Sequence, residues 1–98
     1  MKLVAVTACP TGIAHTYMAA ESLEKTAKKL GYTIKVETQG AMGIENELSQ
    51  ADVDAAEAVI FAVDIAIEGQ ERFSRIRQIS VPVQAALKDP EAIFAKLK

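Results

Sequence analysis

The chain has 98 residues, 50% hydrophobic and 24% charged, with a formal net charge of −2. That balance suits one small globular domain over residues 1–98, and it offers no basic patch to attract nucleic acid or an anionic membrane surface. A single cysteine excludes an internal disulfide, one Cys with one His is too few ligands for a closed metal site, and the longest apolar run, Ala58 to Val63, is far too short to span a bilayer. No secretory pattern precedes the cysteine, so a reducing, cytoplasmic setting is expected.

Leu3-Val4-Ala5-Val6 is continuously apolar, the pattern of a strand buried on both faces of a parallel sheet. It leads to Cys9 and then to Pro10-Thr11-Gly12, which is turn material. A helix is predicted to begin between Ala14 and Thr16 and to run to Leu30, with Ala19, Leu23, Ala27 and Leu30 facing the sheet. Glu21 with Lys25 and Glu24 with Lys28 are favourable i,i+4 pairs, and Gly31 is a stop signal. Tyr32, Ile34 and Val36 alternate with Thr33, Lys35 and Glu37, which predicts a half-exposed edge strand. Gln39 to Gly43 is expected to be a flexible turn.

Ser49 with Asp52 three residues later predicts the start of a short helix, with Asn46 as a competing start. Ala58 to Val63 is the second central strand, ended by Asp64. A short helix over Glu68 to Phe73 follows, then a weak strand over Ile76 to Val81 interrupted by Pro82, and a helical segment over Val83 to Leu87. Asp89-Pro90-Glu91 starts a last helix expected to run to Lys98. This alternation predicts an α/β fold: an open four-stranded parallel sheet, strand order 2-1-3-4, with helices on both faces in a Rossmann-like arrangement. Sites in such sheets lie at the C-terminal strand ends where the order reverses, and Cys9 and Asp64 both fall there.

A lone cysteine is commonly a buried, inert thiol. The turn residues beside Cys9 and the helix start after them argue otherwise, because unpaired amides at a helix N-terminus bind anions and favour a thiolate. Three chemistries use such a group. A phosphocysteine would form by in-line attack, with loop amides holding the equatorial oxygens. Phosphate-ester hydrolysis is suggested by the spacing from Cys9 to His15, which resembles the C-x5-R loop of tyrosine phosphatases with His in place of the arginine clamp. Monothiol redox chemistry is suggested by Cys-Pro-Thr-Gly, which looks like a glutaredoxin loop, with Val81-Pro82 imitating its proline, but no resolving cysteine exists. A receiver domain would need an acidic pair where Ala8-Cys9 stand.

The segment Val4 to Ala20, containing Cys-Pro-Thr-Gly-Ile-Ala-His-Thr, resembles the fructose-type IIB domains of the bacterial phosphoenolpyruvate-dependent sugar phosphotransferase system (EIIB, fructose/mannitol-like class). The likeness continues through Lys35 to Gly40, Gly43 to Asn46, Ala62 to Ile65 and Glu71-Arg72-Phe73. Arg75-Ile76-Arg77 stands where the resemblance implies Gly-Lys, a departure that bears on partner contacts over Ser74 to Val81. The resemblance implies that Cys9 takes a phosphoryl group from phosphohistidine of an EIIA partner. It then passes the group to a fructose-like sugar held by a membrane EIIC permease, with which the domain associates at the inner face. The activity implied is a protein-phosphohistidine–sugar phosphotransferase needing no cofactor, metal or nucleic acid; a free-standing cysteine phosphatase or monothiol oxidoreductase is the alternative. Pro10, Thr11, Gly12, Ile13, Ala14, His15 and Thr16 are the expected phosphate-binding loop. Gln39, Gly40, Asp64 and Arg72 are candidate supporting or partner-contact residues.

Overall fold

In a computed structural model, the described residues are 1–9, 13–40 and 43–97. The first strand, β1 (Lys2–Ala8), has six of its seven residues buried, which fits its unbroken apolar run and places it at the centre of the sheet. Helix α1 (Ile13–Lys29) crosses back over one face, and β2 (Thr33–Gly40) then pairs parallel to β1. A short β3 (Gly43–Glu45) folds back antiparallel on the end of β2, with Gly40 opposite Gly43. Helix α2 (Gln50–Ala55) leads to β4 (Ala58–Val63), parallel to β1 on its other side. A 3-10 turn (Gln70–Phe73) precedes β5 (Arg77–Val81), which pairs parallel to β4, and α3 (Val83–Lys88) and α4 (Pro90–Ala95) complete the chain.

The sheet therefore has five strands in the order β3-β2-β1-β4-β5 and is mixed, correcting the expected four-stranded, all-parallel sheet. The missing strand is three residues long, too short to show a periodicity, and its glycine-flanked sequence resembles a turn. Gln39 and Gly40 thus belong to β2, and Ala41 and Met42 lie outside the described residues.

Two cores flank the sheet. On one face Leu3, Ala5, Val36, Ile60 and Ala62 pack against Ala19, Leu23 and Ala27 of α1 and against Val83, Ala86, Ile93 and Phe94. On the other, Val4, Val6, Val59 and Phe61 pack under Leu48, Val53 and Phe73. The Phe61 and Phe73 rings meet edge to face at 5.2 Å between centroids, a favoured geometry for aromatic quadrupoles. Ser22 Oγ donates to Ala86 O at 2.6 Å, tying α1 to α3.

Helix termini follow the chemistry of their caps. Ser49 and Asp52 form a complete capping box on α2, settling the start in favour of Ser49 over Asn46. Asp89 accepts from the Ala92 amide, with Pro90 in the first turn of α4. At the end of α1, Gly31 takes φ +80°, and the amides of Gly31 and Tyr32 donate to Lys28 O and Ala27 O at 3.1 and 2.8 Å. That is a Schellman closure, so α1 stops at Lys29 and Leu30 turns outward, against the expectation that it faces the sheet. Helix α4 ends at Ala95, short of the expected Lys98, and Lys98 lies outside the described residues. Met1 and Lys96, near the two ends, are held at the N-terminal edge of the sheet. Met1 O accepts from Thr33 N at 2.9 Å, and Arg77, first in β5, donates to Lys96 O at 2.7 Å.

Candidate functional site

The C-terminal sheet edge collects Cys9, Gly40 and Asp64. Ala8, beside Cys9, has Gln39 and Val63 as its partners on the flanking strands. The Asp64 amide continues the ladder to Ala8 O at 3.0 Å. Cys9 is buried and shares the α1-side core with Ala19 and Ala20. Three residues separate Cys9 from Ile13, the first residue of α1, so the helix N-terminus, whose first amides have no partner within the helix, stands at the same edge as the thiol.

Of the expected loop, Pro10, Thr11 and Gly12 lie outside the described residues. Ile13, Ala14, His15 and Thr16 form the first turn of α1. Ala14 and His15 are exposed, whereas Thr16 is buried and its backbone oxygen accepts from Thr7 Oγ1 at 3.0 Å. Tyr17 and Met18 follow on the exposed side, and the Tyr17 hydroxyl donates to Glu45 of β3, bracing the β2–β3 hairpin against α1. The expected Glu21–Lys25 pair forms on the solvent face at 2.9 Å.

The four candidate supporting residues divide between two tasks. Asp64 is exposed and its Oδ1 accepts from Val83 N at 3.2 Å, supplying the side-chain cap that Pro82, the residue before α3, cannot. Gly40 ends β2; among the described residues no atom lies within 4 Å of where a Cβ would stand. Gln39 and Arg72 work on the sheet face opposite α1. Side chains alternate along β2, so Ile34, Val36 and Thr38 face α1 while Lys35, Glu37 and Gln39 face away.

There Glu37, fully buried, meets Arg72 in a bidentate pair at 2.8 and 2.9 Å. Its carboxylate also accepts from Gln39 Nε2 at 2.7 Å and Leu48 N at 2.8 Å. Arg72 directs its remaining donors to Leu48 O, Gly69 O and Glu68 O, so all five guanidinium N–H groups are engaged. The Gln39 amide clasps Glu68, donating to its oxygen and accepting from its nitrogen, both at 2.9 Å. Arg72 thus anchors the segment after β4 to β2.

Burial pushes the Glu37 carboxyl up, but the Arg72 guanidinium, Gln39 and the Leu48 amide together outweigh it and hold the group below the usual carboxylate range. Glu37 in turn stabilises the Arg72 cation against its own desolvation. On the same face, Lys35 and the Ser49 amide and hydroxyl hold the Asp52 carboxyl down at about 2. Sequence reasoning missed Glu37, since its place in an alternating strand predicts solvent exposure; the signal for its burial is a partner 35 residues away. Among the described residues, no group of three or more His, Cys, Asp or Glu could hold a metal ion, and no helix is long and apolar enough to cross a membrane.

Across residues 4–96 the chain matches the family described as the lactose/cellobiose-specific IIB subunit of the PTS system. It is 50% identical over 97 residues, covering 99% of this chain and 92% of the relative, to the "PTS system fructose-like EIIB component 2" of Escherichia coli K12. It is 53% identical over 92 residues to the 2-O-alpha-mannosyl-D-glycerate-specific EIIABC component of the same organism, covering 94% of this chain and 14% of that longer protein. Among solved structures it is similar to a domain of the fructose-specific IIABC component from Borrelia burgdorferi. The TM-score is 0.92 at 48% identity, covering 97% of this chain and 90% of that one.

Proposed function

This chain belongs to the IIB subunit family of the sugar phosphotransferase system, and we propose that Cys9 is the residue on which it carries the phosphoryl group. Its role is phosphoryl transfer within that system, acting with A and C components in general; relatives carry those functions in one polypeptide. The phosphatase and oxidoreductase readings of the cysteine loop find no support among the relatives. The single observation that supports Cys9 is its position: the one cysteine stands at the C-terminal end of the central strand, beside the N-terminus of the longest helix.

In this reading the Cys9 thiolate attacks phosphorus of a phosphohistidine on EIIA, an S–P bond forms, and the P–N bond breaks with its electron pair going to nitrogen. A hydroxyl oxygen of a sugar held by EIIC then attacks phosphorus, and the sulfur leaves with the S–P electron pair while the hydroxyl proton passes to water. The amides of residues 11–16 carry the equatorial oxygens, and the helix dipole favours the anion in both states. Exposed His15 and Met18 flank this end of α1 and are assigned to partner contact, along with Ile65 in the segment after β4. The sugar is fructose-like, on the strength of the relatives' names.

Incubation with phosphoenolpyruvate, the general phosphotransfer proteins and EIIA is expected to add one phosphoryl group at Cys9, removable by iodine, and Cys9→Ser is expected to stay unmodified. Absence of a phosphoprotein with turnover of p-nitrophenyl phosphate would establish a phosphatase instead. Turnover in a glutathione-linked assay would establish an oxidoreductase.

A further inference from the structure

The segment after β4, residues 64–69, starts at the edge that holds Cys9 and is anchored at both ends. Asp64 fixes its start: the amide donates to Ala8 O at 3.0 Å and the carboxylate accepts from Val83 N at 3.2 Å. Gln39 fixes the far end, with Nε2 donating to Glu68 O and Oε1 accepting from Glu68 N, both at 2.9 Å. A neighbouring strand would supply the same two kinds of bond; here a side chain delivers them to a stretch that has no strand of its own. Between the anchors, Ile65, Ala66 and Ile67 make no hydrogen bond among the described residues.

The Gln39 amide is itself held one way round. It is buried, and its second Nε2 proton goes to Glu37 Oε2 at 2.7 Å, which leaves Oε1 for the Glu68 amide. Arg72 supports the same end by donating to Gly69 O at 2.8 Å. Ala8 stands between Gln39 and Val63 in the sheet register, so the clasp joins β2 to the continuation of β4 across the strand that leads to Cys9. Gln39 lies on the face away from α1, whereas Cys9 belongs to the α1-side core. The clasp therefore shapes the edge beside the thiol from the opposite face. Ile67 turns in against the core under α2, while Ile65, one residue past the Asp64 rung, is 42% exposed. A single exposed apolar side chain is common. Ile65 differs because a polar framework holds both ends of the unbonded stretch that carries it.

Resting on the assignment of Cys9 as the phosphoryl carrier, we propose that Gln39 is a positioning residue for donor docking: by clasping Glu68 it holds Ile65 where the phosphorylated EIIA partner packs against it. A stretch already ordered when the partner arrives loses little freedom on association. The clasp therefore acts on affinity for the donor and leaves the transfer of phosphorus within the complex unchanged. Without Gln39 the segment loosens but does not detach, because Arg72 still holds Gly69 and Asp64 still holds the start.

The test is the rate of phospho-Cys9 formation as a function of phospho-EIIA concentration, for wild type, Gln39→Met, Gln39→Asn, Ile65→Ala and the double variant Gln39→Met with Ile65→Ala. Asn keeps the carboxamide on a stem one methylene too short to reach Glu68. Each single variant is expected to raise the half-saturating concentration about fivefold or more, with the plateau rate within about twofold of wild type. The double variant is expected to be little worse than either single one, since both act through the same side chain. Asp89→Ala removes the cap of α4, far from this edge, and is the destabilised control expected to leave half-saturation unchanged. An unchanged half-saturation in the folded Gln39 variants, a fall in plateau rate alone, multiplicative effects in the double variant, or an equal rise in Asp89→Ala would each overturn the proposal. So would failure of both Gln39 variants to fold by circular dichroism, which would make the clasp a condition of folding and not of docking. Wild-type protein that forms no phospho-Cys9 overturns the reading of Cys9 itself, and this proposal with it.

Discussion

Replacing Arg72 by alanine is the most searching test of how the molecule is held together. The substitution leaves Glu37 fully buried with only Gln39 and the Leu48 amide as donors. It also strips the guanidinium from the oxygens of Leu48, Glu68 and Gly69. Removing one partner of a buried ion pair costs about 3–5 kcal/mol, against a total stability of roughly 5–15 kcal/mol for a domain. With a urea m-value of about 1–3 kcal/mol/M, the unfolding midpoint at pH 7 is expected to fall by about 2 M. The deficit also carries a pH signature. In the parent, Glu37 titrates below its unfolded value, so its contribution is full above the ordinary carboxylate range and is lost as pH falls through the folded value. Without Arg72, burial acts with less opposition and raises the Glu37 carboxyl, so the variant's deficit grows as pH rises from about 4 towards 7. Pairing Arg72→Met with Glu37→Gln removes both charges and is expected to recover part of the loss, giving a positive coupling in a double-mutant cycle. A deficit under about 1 kcal/mol at pH 7, or one that does not change with pH, would refute the argument that this pair is a principal anchor.

Three further outcomes are expected. Ser49→Ala breaks the capping box of α2 and is expected to cost about 1 kcal/mol, seen as a drop in Tm of roughly 4–8 °C by thermal circular dichroism. Asp52, held at about 2, contributes stability above its unfolded value near pH 4 that disappears between pH 4 and 2. In Asp52→Asn that part of the acid loss is expected to be absent when urea midpoints are compared across the same range. Gly69→Ala forces a left-handed backbone at φ +74° and puts a methyl 2.7 Å from Arg72 Nε, so a loss of at least 1–2 kcal/mol is expected by the same assay.

The sequence carries the central features of this fold on its surface. The unbroken apolar runs at Leu3 to Val6 and Ala58 to Val63 become the buried β1 and β4, and the signals at Gly31, Ser49 and Asp89 end or begin helices where they stand. These are local rules, written within a few neighbouring residues. What escaped is set by distance. Glu37 and Arg72 are strangers in sequence, and only the closed sheet brings their charges together. Strand β3 escaped for want of length, and Asp64 shows its capping task only once α3 is placed beside it. The position of Cys9 at a strand end was legible from topology, whereas the pairing of Thr7 with Thr16 and Thr38 needed the register.

The placement of the chain ends has a consequence for assembly. Met1 and Lys96 are pinned at the edge where β1 and β5 begin, a strand length of about 20 Å from the edge that holds Cys9. A tether joined at Met1 therefore departs from the side of the sheet opposite the edge that holds Cys9, the phosphoryl carrier in the proposed reading. If Cys9 carries the phosphoryl group, as proposed, a domain tethered there keeps that edge open to donor and acceptor alike. The same geometry serves whether neighbours are joined in one polypeptide, as in the long EIIABC relatives, or meet by diffusion.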